Sequence, residues 1–153
     1  MKLTIENATT NLLDELYEIE RQSFTQEAFS KREIKYMLED YNGIDLVARI
    51  NGEIAGFLIA QVNVESGRLF GHILTLDVAL QHRRRGVARR LLTELETLLR
   101  QKGTVECRLE VREDNVAAIK LYLSLGYRRL RTLKNYYGKT HGLYLRKSLR
   151  PSE

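Results

Sequence analysis

Residues 76–92 read LDVALQHRRRGVARRLL and place an arginine-rich turn between an apolar strand and an apolar helix. The arginines around Gly86 are Arg83, Arg84, Arg85, Arg89 and Arg90. The beginning of a helix carries partial positive charge, so each exposed cation there costs about 0.3–1 kcal/mol. The same helix end offers unpaired backbone N–H groups and is therefore suited to anions. A bound pyrophosphate would remove the electrostatic conflict, because the arginines would face its negative charge.

The small residues of this turn support the same interpretation. Gly86 lets the backbone approach a bulky anion, and Ala88 keeps the next turn small. Two other phosphate-binding loops are excluded, since no Gly-Lys-Ser/Thr follows at Walker spacing and G-x-G-x-x-G is absent. The alternative is that the arginines are solvated and that Gly86 only forms a tight turn.

Composition indicates one globular domain over residues 1–153, with 43% hydrophobic and 29% charged residues. The single cysteine, Cys107, allows no intrachain disulfide, and no Cys/His cluster has zinc spacing, so we expect no metal. Apolar runs are too short to span a bilayer and no leader opens the sequence, so we expect a cytoplasmic protein without a membrane role. The net charge of +5 permits an anionic partner or simply a basic, soluble surface.

Periodicity predicts a mixed α/β fold. The predicted strands are 2–6, 44–50, 53–62, 68–79, 105–111, 127–133 and 142–149. The predicted helices are 10–22, 30–40, a leucine-rich helix that Gly103 ends, and 115–126. The middle of the chain is typical of an antiparallel meander with a tight turn at Asn51-Gly52. In the second half strands and helices alternate, and helices that join successive strands imply parallel pairing.

Two blocks of sequence resemble the GNAT acetyltransferase superfamily. Residues 83–88, RRRGVA, match Q/R-x-x-G-x-G/A, the pyrophosphate loop of that superfamily. Residues 109–127, LEVREDNVAAIKLYLSLGY, resemble the LEVR-x-x-N-x-x-A-x-x-LY-x-x-LGF block of its N-terminal acetyltransferases, and KNYY (134–137) resembles their tyrosine-rich loop. The resemblance covers residues 44–149 well and the first 43 only by helix pattern.

The resemblance implies a mostly antiparallel sheet with helices on both faces and one parallel strand pair, 70–79 and 105–111, that splays apart. It also implies acetyl-CoA as cosubstrate, lying in that splay, with pantetheine against the backbone of Leu76 and Val78. The implied cofactor-binding residues are Leu76, Val78, Arg83, Arg84, Arg85, Gly86, Val87, Ala88, Arg89 and Asn115.

Acetyl transfer needs a neutral amine, which requires a base. The reference pKa is about 8 for an α-amino group and about 10.4 for lysine, so a modest base suffices for an N-terminus. Glu110 matches the glutamate of the family's LEV and alternates away from the apolar side chains of 105–111, so it is the candidate base, acting through a water. The alternative is a surface glutamate paired with Arg108 or Arg112.

The departing thiolate needs an acid, and Tyr122 occupies the family position for it. A phenol has a reference pKa of about 10, which suits this role; the alternative is a core tyrosine in the stripe of Ile119 and Leu123. His72 in GHILTLDV resembles a histidine that handles the substrate proton in archaeal relatives, or is a half-buried strand residue. Cys107 alternates with the apolar set and is expected to be inert core.

The resemblance implies that Phe24, Tyr136 and Tyr137 border the acceptor; the alternative for the two tyrosines is simple edge-strand packing. We expect a peptide N-terminus as acceptor, such as that of a ribosomal protein. Segment 23–30, SFTQEAFS, lacks the proline and tryptophan that relatives carry, which keeps lysine side chains, polyamines or other small amines as alternative acceptors. A third alternative is a non-enzymatic RNA- or ribosome-binding module, but no stacking aromatics accompany the arginines, so no direct nucleic-acid role is expected.

Overall fold

The computed structural model describes residues 1–24 and 27–151, and apolar alternation in them produces a seven-stranded sheet. The strands are β1 (Leu3–Asn7), β2 (Gly43–Ile50), β3 (Glu53–Glu65), β4 (Arg68–Val78), β5 (Glu106–Arg112), β6 (Arg128–Tyr137) and β7 (Thr140–Ser148). The α-helices are α1 (Leu13–Ser23), α2 (Lys31–Leu38), α3 (Val87–Gln101) and α4 (Val116–Ser124). Short 3₁₀ turns lie at Thr10–Leu12 and Leu80–His82.

The first four strands form the predicted antiparallel meander, each paired with the next along the chain. The turn between β2 and β3 has positive φ at both Asn51 (52°) and Gly52 (89°). Two successive positive φ values are the signature of a type I′ hairpin turn, which Asn-Gly favours. The predicted hairpin is therefore confirmed.

The second half of the chain departs from the prediction in one strand pairing. The sheet order is β1-β2-β3-β4-β5-β7-β6, so β7 lies between β5 and β6 and is antiparallel to both. Parallel pairing across a connecting helix is confirmed for β4 and β5 but is wrong for β5 and β6. The β6–β7 hairpin docks through its second strand, and this leaves β6, with its exposed Arg128, Arg129 and Arg131, as a charged edge strand.

The parallel pair splays as predicted. β4 and β5 pair only at Phe70 with Glu106, Gly71 with Cys107 and His72 with Arg108. Beyond these residues the two strands separate, and a cleft opens between them.

A bulge in β4 changes which side chains face each side of the sheet. Ile59 pairs with Thr75 and Ala60 pairs with Ile73, so Leu74 has no partner in β3. After this extra residue, Thr75 points to α1, where it bonds Glu20, whereas Leu76 packs on the opposite face.

Two apolar cores cover the two faces of the sheet, as the predicted helix placement requires. On one face, Leu91 and Leu95 of α3 and Ile119 of α4 pack against the strands. On the other, Leu16 of α1 and Ile34 of α2 do so. Cys107 is fully buried in the first core, which confirms the expected core position, and burial raises the pKa of its thiol to about 12.

Across residues 1–24 and 27–151, no helix is long and apolar enough to cross a membrane.

Candidate active site

A large cleft of about 960 Å³ opens where β4 leaves β5. Leu76 and Val78 of β4 form one wall, Tyr122 of α4 lies on the other, and the arginine-rich turn closes one end. The predicted cofactor-binding residues that line it are Leu76, Val78, Arg83, Arg84, Gly86, Val87, Ala88, Arg89 and Asn115. Arg85 is exposed and is the one predicted cofactor residue that does not line the cleft.

The turn before α3 leaves the start of the helix open. Gly86 is the N-cap, with φ of +77°, and it has no side chain to cap the first N–H groups. Arg84 also has a positive φ of 63°, a conformation that costs a non-glycine residue about 1–2 kcal/mol. Unoccupied N–H groups at a helix start beside arginine side chains form an anion site.

Two of the arginines of the turn form hydrogen bonds to neighbouring parts of the protein. Nε of Arg83 donates to the carbonyl oxygen of Val78 at 3.2 Å. Nη2 of Arg89 donates to Oγ of Ser124, at the end of α4, at 2.9 Å. Each of these two guanidinium groups thus has one hydrogen bond to the protein, while both arginines remain exposed to solvent.

A small cavity of about 350 Å³ lies on the α1 side of the sheet and adjoins the large cleft. The two spaces share the wall residues Leu76, Asn115 and Tyr122. The predicted catalytic and acceptor-binding residues that line the small cavity are Phe24, His72, Glu110, Tyr122, Tyr136 and Tyr137. All six, which are dispersed along the sequence, are thus brought to one space.

His72 and Glu110 form a pair in the small cavity. Nε2 of His72 lies 2.7 Å from Oε1 of Glu110, and both side chains are largely buried. The alternative in which Glu110 pairs with Arg108 or Arg112 is wrong, because those arginines bind other carboxylates. Glu110 therefore lines the small cavity with His72, rather than an arginine, as its partner.

Tyr122 lies where the two spaces meet. It is only 6% exposed, and its ring packs edge-on against that of Tyr127 with centroids 5.5 Å apart. It is thus both a core residue and a wall of both spaces. Burial raises the pKa of the phenol, so it stays protonated and can donate at neutral pH.

Two adjacent tyrosines form the wall of the small cavity opposite α1. The rings of Tyr136 and Tyr137 pack edge-on with centroids 4.9 Å apart. The segment KNYY, expected as a loop, belongs to the end of β6. The pairing with β7 is irregular there and Asn135 has a φ of +52°, so the strand is locally distorted rather than absent.

Several residues of the site escaped the sequence analysis. Arg112 binds Glu27 and makes two bonds to Asp114, at 2.9 and 3.0 Å, so it ties the segment after α1 to the end of β5. Glu27 and Arg112 are 85 positions apart, and no local pattern links them. Of the segment 23–30, Thr25 and Gln26 lie outside the described residues.

A second unpredicted group consists of Glu20, Thr75 and Asp77, which are all buried. In the helical pattern of 10–22, Glu20 falls next to Ile19 on the apolar side. A charged residue in that position is the one feature of the sequence that could have indicated a buried polar group. Burial and the neighbouring Glu20 raise the pKa of Asp77 well above its usual range.

Both spaces contain charges of each sign, but the balance between them differs. Along the large cleft the arginines outnumber the carboxyl groups: Arg83, Arg84, Arg89 and Arg112 stand against Glu27, Asp77 and Asp114. Glu20, Glu27 and Glu110 line the small cavity, where Arg112 is the cation among the described lining residues. The arrangement suits a large anionic molecule in the cleft and a cationic one in the cavity, meeting at Tyr122.

Comparison with known proteins agrees with this geometry. A model of the acetyltransferase (GNAT) family matches residues 13–127. The ribosomal protein bS18-alanine N-acetyltransferase of Escherichia coli (strain K12) is 34% identical over 139 residues, which are 91% of this chain and 90% of that protein.

Solved structures show the same fold. The ribosomal-protein-S18-alanine N-acetyltransferase from Escherichia coli superposes with a TM-score of 0.88 at 26% identity, over 99% of this chain and 97% of that one. The NatC complex bound to Gag peptide and CoA contains a chain with a TM-score of 0.88 at 19% identity, over 98% of this chain and 100% of that one. The predicted mixed α/β fold with a splayed strand pair is confirmed.

Proposed function

This chain belongs to the acetyltransferase (GNAT) family, and we propose that, as an acetyltransferase with acetyl-CoA as its donor, it acetylates the α-amino group of a protein N-terminus. The observation that carries the proposal is the junction of two spaces of different charge balance at Tyr122, with the His72–Glu110 pair beside it. The identity to the bS18-alanine enzyme supports a ribosomal protein as the acceptor. A cytoplasmic location is part of the same proposal.

The large cleft would bind acetyl-CoA. The open N-terminus of α3 and the guanidinium groups of Arg83 and Arg89 would bind the pyrophosphate. The backbone of Leu76 and Val78, which is free of β5 beyond the splay, would pair with the pantetheine arm. The thioester would then lie at the junction with the small cavity.

The small cavity would bind the acceptor amine. Its aromatic walls, including Phe24 and Tyr137, would enclose the first residue of the acceptor. Its carboxylates would attract the ammonium form, and the His72–Glu110 pair would take one proton through a water.

The neutral amine would then attack the thioester carbonyl. A carbon–nitrogen bond forms, and the carbon–sulfur bond breaks as the tetrahedral oxyanion collapses. The protonated phenol of Tyr122 would donate its proton to the departing thiolate and regain one from the amine that has reacted. The chain's own groups thus supply every proton transfer.

An α-amino group fits this site better than a lysine. Its lower reference pKa, about 8 against about 10.4, requires less of the base. Transfer should therefore be measured to peptides with a free N-terminus and to the same peptides with a blocked N-terminus and an internal lysine. We expect acetylation of the free N-terminus alone. Equal rates on both peptides, or faster transfer to a polyamine, would contradict the proposal.

A melting experiment separates the enzyme from an RNA-binding module. Acetyl-CoA at about one hundred times its Kd should stabilise the protein by about 2.7 kcal/mol, because it binds the folded state. An unchanged melting temperature, together with RNA affinity that falls steeply with salt, would favour the RNA-binding alternative.

A further inference from the structure

Three buried polar side chains connect the two spaces of the site. Glu20, Thr75 and Asp77 are 1%, 6% and 2% exposed. Oγ1 of Thr75 lies 2.8 Å from Oε1 of Glu20 and 2.9 Å from Oδ1 of Asp77. The other oxygen of Glu20, Oε2, accepts the backbone N–H of Phe29 at 3.1 Å.

The number of protons in this group decides its charge. The Thr75 hydroxyl has one hydrogen and can donate to only one carboxylate. The second carboxyl group can form a hydrogen bond with the same hydroxyl oxygen only if that carboxyl group carries a proton and donates it to Thr75. Two ionised carboxylates buried side by side would also repel each other strongly. The group therefore holds one negative charge and one acidic proton.

Hydrogen bonding places the charge on Glu20 and the proton on Asp77. Glu20 accepts two hydrogen bonds, from Thr75 and from the Phe29 N–H, which stabilise a carboxylate. Oδ2 of Asp77 is buried and has no partner in residues 1–24 and 27–151, so an ionised Asp77 would be poorly compensated. Asp77 thus donates to Thr75, and Thr75 donates to Glu20. The raised pKa of Asp77, caused by burial and Glu20, agrees with this order; Thr75 and Arg83 act in the opposite direction.

The chain of bonds joins the donor strand to the acceptor side of the site. Asp77 lies between Leu76 and Val78 and lines the large cleft. Glu20 lines the small cavity and, through the Phe29 N–H, binds the segment between α1 and α2. The bulge at Leu74 is what turns Thr75 towards Glu20.

We propose that Glu20, Thr75 and Asp77 form a one-proton hydrogen-bond chain that positions the acceptor-side segment carrying Phe24, Glu27 and Phe29 against the donor strand β4. The three are positioning residues, since they act through the walls of the small cavity. The neutral Asp77 also keeps a second negative charge away from the anionic donor. This inference deepens the proposed function and rests on it for the roles of the two spaces.

Thr75→Val and Glu20→Gln test the chain with little change of shape. Thr75→Val removes both hydroxyl bonds. Glu20→Gln removes the charged acceptor: with the amide oxygen on the Phe29 N–H, the N–H₂ faces Thr75, which must then donate to Asp77 and so reverses the order of the hydrogen bonds. We expect each to raise the KM for the acceptor peptide about tenfold. The Kd for acetyl-CoA should stay within about twofold, because the walls that would bind it are unchanged.

Asp77→Asn and Asp77→Ala test the protonation state. The neutral amide of asparagine can donate to Thr75 as the protonated acid does, so Asp77→Asn should keep the acceptor KM within about twofold of the parent. Asp77→Ala removes the group that donates a hydrogen bond to Thr75 and should raise the acceptor KM. If Asp77→Asn is as impaired as Asp77→Ala, Asp77 is not a neutral donor and the proposal is wrong.

Val47→Ala is the control for simple destabilisation. Val47 is fully buried in the same core and lines neither space. The Val47→Ala variant should have a lower melting temperature but an unchanged acceptor KM. If Val47→Ala shifts that KM as much as Thr75→Val does, or if neither shifts it, the positioning role is wrong.

Infrared spectroscopy tests the chain without any substrate. The difference spectrum of the parent minus Asp77→Asn should contain the carbonyl band of a protonated carboxylic acid. If that band is present but no peptide N-terminus is acetylated, the proposed function fails and the hydrogen-bond chain stands. If the band is absent, the proposed one-proton hydrogen-bond chain is wrong, whatever the enzyme acetylates.

Discussion

Nε2 of His72 lies 2.7 Å from Oε1 of Glu110, and the two residues stand on neighbouring strands at the point where those strands separate. His72 belongs to the last paired position of β4, and Glu110 lies two residues beyond its partner Arg108. The splay that opens the cleft therefore also exposes this pair to the small cavity. Because the two atoms are within hydrogen-bond distance, loss of either side chain also removes the hydrogen-bond partner of the other.

The first prediction concerns this pair. Glu110→Gln and His72→Phe should each lower kcat about 100-fold, the typical contribution of a general base. The double variant should be no slower than the slower single variant, because residues that act as a unit are not additive. Steady-state kinetics at saturating acetyl-CoA measures this.

Glu106→Gln is the matched control for the pair. Glu106 lies on the same strand and face but binds Arg108 and Arg146 and lines neither space. It should leave kcat unchanged. Fully multiplicative losses in the double variant would show that His72 and Glu110 act separately.

The second prediction concerns Tyr122. Tyr122→Phe should lower kcat about 10- to 100-fold and leave the Kd for acetyl-CoA nearly unchanged, because only the proton donor is lost. Tyr127→Phe is the control, since its ring packs against Tyr122 but lines neither space. A rate unchanged in Tyr122→Phe would exclude the phenol as the acid.

The third prediction concerns Gly86. Gly86→Glu should abolish acetyl-CoA binding, because it puts a negative side chain at the anion site and a Cβ at a φ of +77°. Gly103→Glu is matched in backbone strain, with a φ of +79° and open space around the Cβ, but lies at the other end of α3. Calorimetry should detect binding in Gly103→Glu alone. Loss of acetyl-CoA binding in both variants would indicate that the substitutions disrupt α3 and not only the anion site.

The fourth prediction concerns stability and pH. Burial and the charge of Asp40 raise the pKa of Asp45 from 3.8 to about 7, and its Oδ1 has no partner in the described part of the chain. The folded state therefore holds this proton more tightly than the unfolded state. The stability that this provides is fully present below about pH 4 and is lost as pH rises through about 7.

Asp45→Asn removes this dependence. Relative to the parent, its melting temperature should rise steadily as pH increases from about 4 to above 7. Thermal melts of both proteins across that range measure the difference. A difference that does not vary with pH would contradict the prediction.

The sequence predicts the parts of the site that local pattern encodes. The turn at Gly86 and the side of β5 that carries Glu110 follow from spacing and alternation. The contact between Glu110 and His72 does not, because it depends on the register of two strands 38 positions apart. Family position, rather than periodicity, brought His72 into consideration.

The residues that were missed depend on tertiary structure. In ILTLDV (73–78) the adjacent apolar residues Ile73 and Leu74 interrupt the alternation at the bulge, but this local irregularity does not predict that Thr75 and Asp77 meet Glu20. The insertion of β7 beside β5 likewise depends on how the last hairpin docks, which neither strand's composition specifies.

The three residue pairs between β4 and β5 divide the sheet into a half of four strands and a half of three. Besides these pairs, the Val105 N–H donates to the Leu69 carbonyl oxygen at 3.0 Å, and in the described part of the chain the two strands pair no further towards the open end of the splay. Acetyl-CoA bound in the splay, as we propose, would supply the absent bonding and would join the two halves of the sheet. Amide hydrogen exchange along the inner edges of both halves should therefore slow when acetyl-CoA is bound.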